Sequence, residues 1–206
     1  MAALTRASLG RFFRGLTRRL PCPVTLVLTG GGEALVLGGR RPTGDVDFGL
    51  VLRARWARRW PEVETAVAEA ARAANVAVQY SSDIDRWSPV TIPANRRRTR
   101  LYRRVGRLSV HLLDPTCWAV YKVARYLEAD VQDLRAVLRR QRVPSGRLAR
   151  LCGESLRASP RSPALFLFRQ QVEHFFRTHG SAIWGRRFDP DLTIAAFRRA
   201  AGIPVV

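Results

Sequence analysis

The sequence predicts an α+β protein: a mixed β-sheet flanked by helices, followed by a helical C-terminal part. Three observations predict it. Short β-branched runs alternate with helical stretches through the first half. A long helical pattern follows them. The rest of the chain repeats at helical spacing and holds no strand pattern.

Residues 4–20 place Leu4, Leu9, Phe12, Phe13, Leu16 and Leu20 among arginines, the pattern of an amphipathic helix. Such a helix packs on a domain edge or lies on a membrane surface. Pro21 and Pro23 end it. Val24 to Thr29 reads as a buried strand. Gly30, Gly31 and Gly32 read as a turn, with a short helix starting at Glu33 and stopped by Gly38 and Gly39. Asp45 to Leu52 is the next strand. Trp60 to Ala74 is an alanine-rich helix with Asn75 near its C-cap. Val76 to Tyr80 is a strand, and Arg100 to Leu113 a hairpin turning at Gly106. Pro115 to Arg140 reads as one long helix. Pro144 and Gly146 break the pattern, and two or three helices follow, among them Ala164 to Thr178 and Asp191 to Ala200. We therefore draw two domains, 1–143 and 144–206.

Composition narrows the function classes. The chain has 206 residues, 47% of them hydrophobic, enough for a real core. No apolar run is long enough to span a bilayer. A basic N-terminus without an apolar signal core predicts a cytoplasmic protein. Cys22, Cys117 and Cys152 have no disulfide or zinc spacing. The net charge is +20, almost all from arginine, and Lys122 is the sole lysine. Such a surface attracts polyanions, and guanidinium suits phosphate. The same charge argues against a cationic small-molecule substrate.

The most informative stretch runs from Thr29 through the three glycines and Arg40-Arg41-Pro42-Thr43-Gly44 to Asp45-Val46-Asp47-Phe48. In a strand Asp45 and Asp47 point to one face, Val46 and Phe48 to the other. Two carboxylates side by side repel each other, and a divalent cation removes that cost. Oxygen ligands of this kind suit Mg²⁺ or Mn²⁺ together with substrate phosphates. A strand running into glycines and then a helix offers backbone N–H groups to phosphate. Gly31 and Gly32 are the candidate phosphate seat. Arg40 and Arg41 lie close enough to neutralise a triphosphate, and Thr43 to orient a carboxylate or bind phosphate.

Together these features resemble the signature of the polymerase-beta-like nucleotidyltransferase superfamily, in which Gly-Gly opens a helix and Asp-hydrophobic-Asp follows on the next strand. A second segment narrows the likeness. Lys122-x-x-Arg125, followed by Asp130-x-x-Asp133-Leu134, is similar to a segment of the AbiEii-type nucleotidyltransferase toxins and their relatives. The resemblance spans roughly Val24 to Leu138. It implies a nucleotidyltransferase fold and Mg²⁺-dependent transfer of a nucleotide from a nucleoside triphosphate. The acceptor would be RNA such as tRNA, or a protein, in a toxin–antitoxin or phage-defence setting. It implies that Asp45 and Asp47 hold the metal and Lys122 the triphosphate, with Arg125 beside it. Asp130 or Asp133 would act as base or structural acid. On a continuous helix, Lys122, Arg125 and Asp133 share one face.

One departure stands out. Polymerase-like members carry a third metal-binding carboxylate on a later strand. Here that strand reads Leu108-Ser-Val-His-Leu-Leu113, with His111 at the expected place and Asp83, Asp85 and Asp114 as substitutes. A catalytically weakened relative that binds nucleic acid or a partner protein is the alternative this departure raises. Arg96, Arg97, Arg98, Arg103 and Arg104, with Tyr102 for stacking, are candidates for contact with an RNA.

Overall fold

The computed structural model describes residues 3–83, 88–93 and 98–204. The chain divides into two compact units. The first is built from Met1–Val36, Arg40–Ile84 and Thr99–Leu113, the second from Leu37–Gly39, Asp85–Arg98 and Asp114–Val206.

The first unit holds α1 (Arg6–Arg19), β1 (Val24–Thr29), α2 (Gly30–Leu37), β2 (Asp45–Val51), a 3-10 turn (Ala54–Arg59), α3 (Trp60–Ala74), β3 (Ala77–Ser81), β4 (Thr99–Val105) and β5 (Leu108–Leu113). The strands form one mixed sheet in the order β3-β2-β1-β5-β4. β1 runs antiparallel to β2 and parallel to β5. β2 runs parallel to β3, and β4 antiparallel to β5.

Strand alternation decides which side is core. Leu26, Leu28, Val46, Phe48, Leu108 and Val110 are fully or almost fully buried. Phe48 meets Phe12 of α1 at 5.8 Å between ring centroids and stacks on Tyr80 of β3 at 5.5 Å. Helix α1 also packs against α3. Its apolar face, with Leu9, Phe12, Phe13 and Leu16, is therefore spent inside the fold. Among the described residues, no helix is long and apolar enough to cross a membrane. Thr5 caps α1 by accepting the Ser8 N–H, and Ser8 returns a bond from the Thr5 N–H.

The second unit is helical: α4 (Pro115–Arg125), α5 (Glu128–Arg140), α6 (Ser145–Ala158), α7 (Pro163–Trp184) and α8 (Pro190–Ala201). In the fold α4 and α5 belong with the three helices that follow, since α4 packs on α6 and α7, and α5 on α7. Trp118, Phe168, Phe175, Phe176 and Phe197 fill the core. Helices α6 and α8 meet closely at Gly153, where a β-carbon would stand 2.6 Å from Ala200 Cβ. Trp184 closes the base by donating from Nε1 to the Val143 carbonyl at 2.8 Å.

Two expectations are corrected. The helix after β1 begins at Gly30 rather than Glu33, so the glycines form its first turn. The stretch Pro115–Arg140 is two helices, not one. Tyr126 adopts a left-handed conformation (φ 54°) and ends α4. Asp130 then accepts the Leu127 N–H and starts α5 afresh. Neither glycine nor proline marks this break.

Asn75 also sits in the left-handed region, at φ 52°, and caps α3 through bonds to the Ala71 and Arg72 carbonyls. Asn75→Gly should be neutral or slightly stabilising, and Asn75→Val should cost about 1–2 kcal/mol, because a β-branched side chain resists that conformation. Urea unfolding of the two variants measures the difference.

Candidate functional site

The register of β1 and β2 builds the first cluster. Thr29, the last residue of β1, lies opposite Asp47. The chain must then turn over the Asp47 side chain to enter α2. Gly30 makes that turn at φ 61°, and a β-carbon there would overlap the Asp47 carboxylate. A β-carbon on Gly31 would collide with Thr43, whose Cβ lies 2.8 Å from that point. Gly32 differs, since its missing side chain would point at Leu28, Leu4 and Val46 in the core, at ordinary distances. The glycine backbone that meets polar side chains is thus Gly30 and Gly31, while Gly32 faces apolar ones.

Thr43 is buried and donates from Oγ1 to Asp45 Oδ1 at 3.2 Å. Its carbonyl accepts the Leu4 N–H at 2.7 Å, which pins this loop to the segment before α1. Gln79 of β3 donates from Nε2 to Asp45 Oδ2 at 3.3 Å. Asp45 and Asp47 are half-buried, while Val46 and Phe48 between and beside them are fully buried. The aspartates therefore share a face, as the alternation predicts. The first-turn N–H groups of an α-helix have no partner within the helix. Those of α2 start beside this carboxylate pair. Glu33, also in the first turn, is fully buried. Arg6 of α1 donates to the Leu35 carbonyl at 3.1 Å and covers the other end of α2. Arg40 is exposed, and Arg41 donates to the Pro42 carbonyl at 3.0 Å.

Sequence reasoning missed Gln79 and Glu33. Gln79 is out of reach of pattern reading, because parallel pairing of β2 with β3 brings it beside Asp45. Glu33 had a visible signal, being the lone charge in an otherwise apolar Gly30–Leu37.

The later-strand carboxylate is absent from β5. His111 faces Val27, which also pairs with Gly49, so His111 shares the aspartates' face two strands away. Its Nδ1 lies 3.4 Å from Thr99 Oγ1. Burial and nearby Arg104 lower its pKa. Asp114 is occupied as the N-cap of α4 and as a partner of Arg147 at 2.7 Å. Asp83 lies just beyond β3, where its N–H bonds Ser81, and Asp85 lies outside the described residues. Among the described residues, no three His, Cys, Asp or Glu side chains group as a metal site.

The second cluster lies in the second unit. Lys122 donates from Nζ to Asp130 Oδ1 at 2.8 Å and to Asp133 Oδ2 at 2.9 Å. Arg125 grips Asp130 with two bonds, from Nε at 2.7 Å and Nη2 at 2.6 Å. Lys122 is 3% exposed, and Asp130 is fully buried. Lys122 also stands 5.5 Å from the Trp118 ring centroid. Burial pushes the Asp130 carboxyl up, but bonds from Arg125 and Lys122 outweigh it, and its pKa falls below the ordinary value. The four residues the resemblance singles out are thus brought together, with two of the three Lys122 N–H donors spent on carboxylates.

The chain matches no protein-family model, no curated protein and no solved structure.

Three outcomes follow. Gly30→Ala should destabilise by about 1–3 kcal/mol, since it strains the backbone and displaces Asp47; chemical denaturation reads this directly. Lys122→Ala leaves two buried carboxylates without their lysine and should cost about 3–5 kcal/mol. Because the Asp130 pKa is lowered by folding, its contribution is complete above the unfolded pKa and vanishes as pH falls through the folded one. Melting curves taken through the acid range should show the wild type losing stability there and Asp130→Asn losing less.

Proposed function

We propose that this chain is a Mg²⁺-dependent nucleotidyltransferase that moves a nucleoside monophosphate from a nucleoside triphosphate to an acceptor. The observation that carries this reading is the contact of Gly30 and Gly31, in the first turn of α2, with Asp47 and Thr43. An anion-binding helix start and a carboxylate pair are held within one turn of chain.

The residues fit the metal. Asp45 and Asp47 offer hard oxygen donors on one face, and Mg²⁺ commonly uses one or two carboxylates and completes its shell with phosphates and water. Asp45 and Asp47 would hold Mg²⁺, which when bound neutralises triphosphate charge. Thr43 and Gln79 orient Asp45 for that role. The backbone at Gly31 and Gly32, in the first turn of α2, would seat the phosphates. Arg40 and Arg41 offset charge on the departing pyrophosphate. A hydroxyl oxygen of the acceptor forms the new bond to the α-phosphorus as the bond to the β-phosphate oxygen breaks. The chain's contribution is positioning and electrostatics.

By the resemblance, Lys122 would bind the triphosphate, and Asp130 or Asp133 would act as base or structural acid. In the structure Lys122 is almost fully buried and bonded to Asp130 and Asp133, which supports a structural role for it. Arg125 and Lys122 hold Asp130 ionised, which suits a charge partner better than a base. The acceptor class that fits a +20 chain is RNA, with a protein hydroxyl as the other choice within a toxin–antitoxin or phage-defence setting.

The absence of a carboxylate on β5 favours a second reading, a protein of this fold that binds nucleic acid or a partner protein without transferring nucleotide. Equilibrium binding of labelled ATP, GTP, CTP and UTP separates the two. Binding should require Mg²⁺ and should be lost, with transfer to tRNA, in the Asp45→Ala, Asp47→Ala double variant. Nucleotide binding indifferent to both would sink the transferase reading.

A further inference from the structure

The β4 strand is the sheet edge next to β5, and it is exposed along nearly its whole length. Edge strands are commonly guarded by charge, because bare backbone groups invite another strand to pair. Arg100, Arg103 and Arg104 serve that end. They do not explain Leu101 and Tyr102 between them, which are 51% and 45% exposed. Large apolar side chains defeat a guard.

The register supplies a reason. Leu101 pairs with His111 and Arg103 with Val110, so Tyr102 is an extra residue in a β-bulge. A bulge re-aims the side chains around it. Here Tyr102 and Arg103 come together over α1, lining a shallow notch with Arg6, Leu9, Gly10 and Phe13. Gly10 is buried at the floor, and Arg14 Nη1 lies over it, 3.5 Å from where a β-carbon would stand. The charge is of one sign. Helix α1 carries five arginines and the β4–β5 hairpin four, and neither contains an acidic residue. Arg6 already bonds the Leu35 carbonyl but keeps its full charge. Arg103 and Arg104 have no carboxylate partner among the described residues.

We propose that this notch binds single-stranded nucleic acid, with a base stacked on Tyr102 and the backbone phosphates on Arg103, Arg6 and Arg14. An exposed ring among arginines is the combination that unpaired bases and their phosphates require, since a base inside a duplex offers no free face. An acidic peptide strand would meet the same charge, but the bulge interrupts the regular edge such a strand needs. The surface works without the carboxylate pair and without nucleotide.

The test is fluorescence anisotropy with a short labelled oligouridylate and an RNA duplex of the same length, without Mg²⁺ or nucleotide, at several salt concentrations. The wild type should favour the single strand. Tyr102→Ala should weaken it about tenfold and leave the salt slope unchanged, while Tyr102→Trp should bind at least as well as wild type. Arg103→Glu should flatten the slope of log affinity against log salt by about one to two. Arg161→Glu, an equal charge change at an exposed site elsewhere, should alter affinity far less. The Asp45→Ala, Asp47→Ala variant should bind like wild type, so loss of the transferase reading leaves this surface standing. Equal binding of duplex and single strand, or wild-type affinity in Tyr102→Ala, overturns the proposal. So does displacement of the RNA by an acidic peptide whose own binding ignores Tyr102.

Discussion

Thr29 and Asp47 face each other across the β1–β2 pair, and the chain has to become a helix in the very next residue. That requirement governs the first unit's candidate site. A helix can start there only if its first residue adopts a positive φ and presents no β-carbon to the carboxylate. Gly30 meets both demands. Once it does, the amides of α2 begin beside Asp47, Gly31 closes on Thr43, and Thr43 holds Asp45. The buried Val46 and Phe48 fix the strand from behind, so neither carboxylate can roll away. The site is thus set by the sheet register more than by any single polar bond.

The second unit rests on a different device. Two carboxylates, a lysine and an arginine are drawn into one network where α4 gives way to α5. On a continuous helix, Lys122 and Asp133 would lie about 16 Å apart along the axis and could not touch. The left-handed Tyr126 lets them meet. Tyr126 is itself held, through its hydroxyl, to His174 of α7 at 2.7 Å. Desolvation of the buried charges offsets much of the attraction in such a network, so its net stabilisation is smaller than its number of bonds suggests.

Much of this was legible in the sequence because alternation and helical spacing are strong local signals. The two aspartates on one face, the span of α3 and its Asn75 cap, and the hairpin at Gly106 all follow from local pattern. The start of α2 was not legible, since three glycines have low helix propensity and only the sheet register forces them into a first turn. The break at Tyr126 was hidden for a similar reason. Tyrosine rarely adopts the left-handed region, and the compensation comes from Asp130 and α7, which a local window does not show. Gln79 beside Asp45 and the bulge at Tyr102 are products of strand pairing, and no single segment announces them.

The burial of Lys122 has a chemical consequence of its own. These 206 residues contain one lysine side chain, and that amine is 3% exposed with its nitrogen bonded to two carboxylates. Acylating reagents, amine cross-linkers and enzymes that conjugate modifiers to lysine therefore find no side-chain target on the folded surface. The amine becomes reactive only when the α4–α5 junction opens. Its labelling rate is accordingly a clock for local unfolding at that one place, read without any engineered probe.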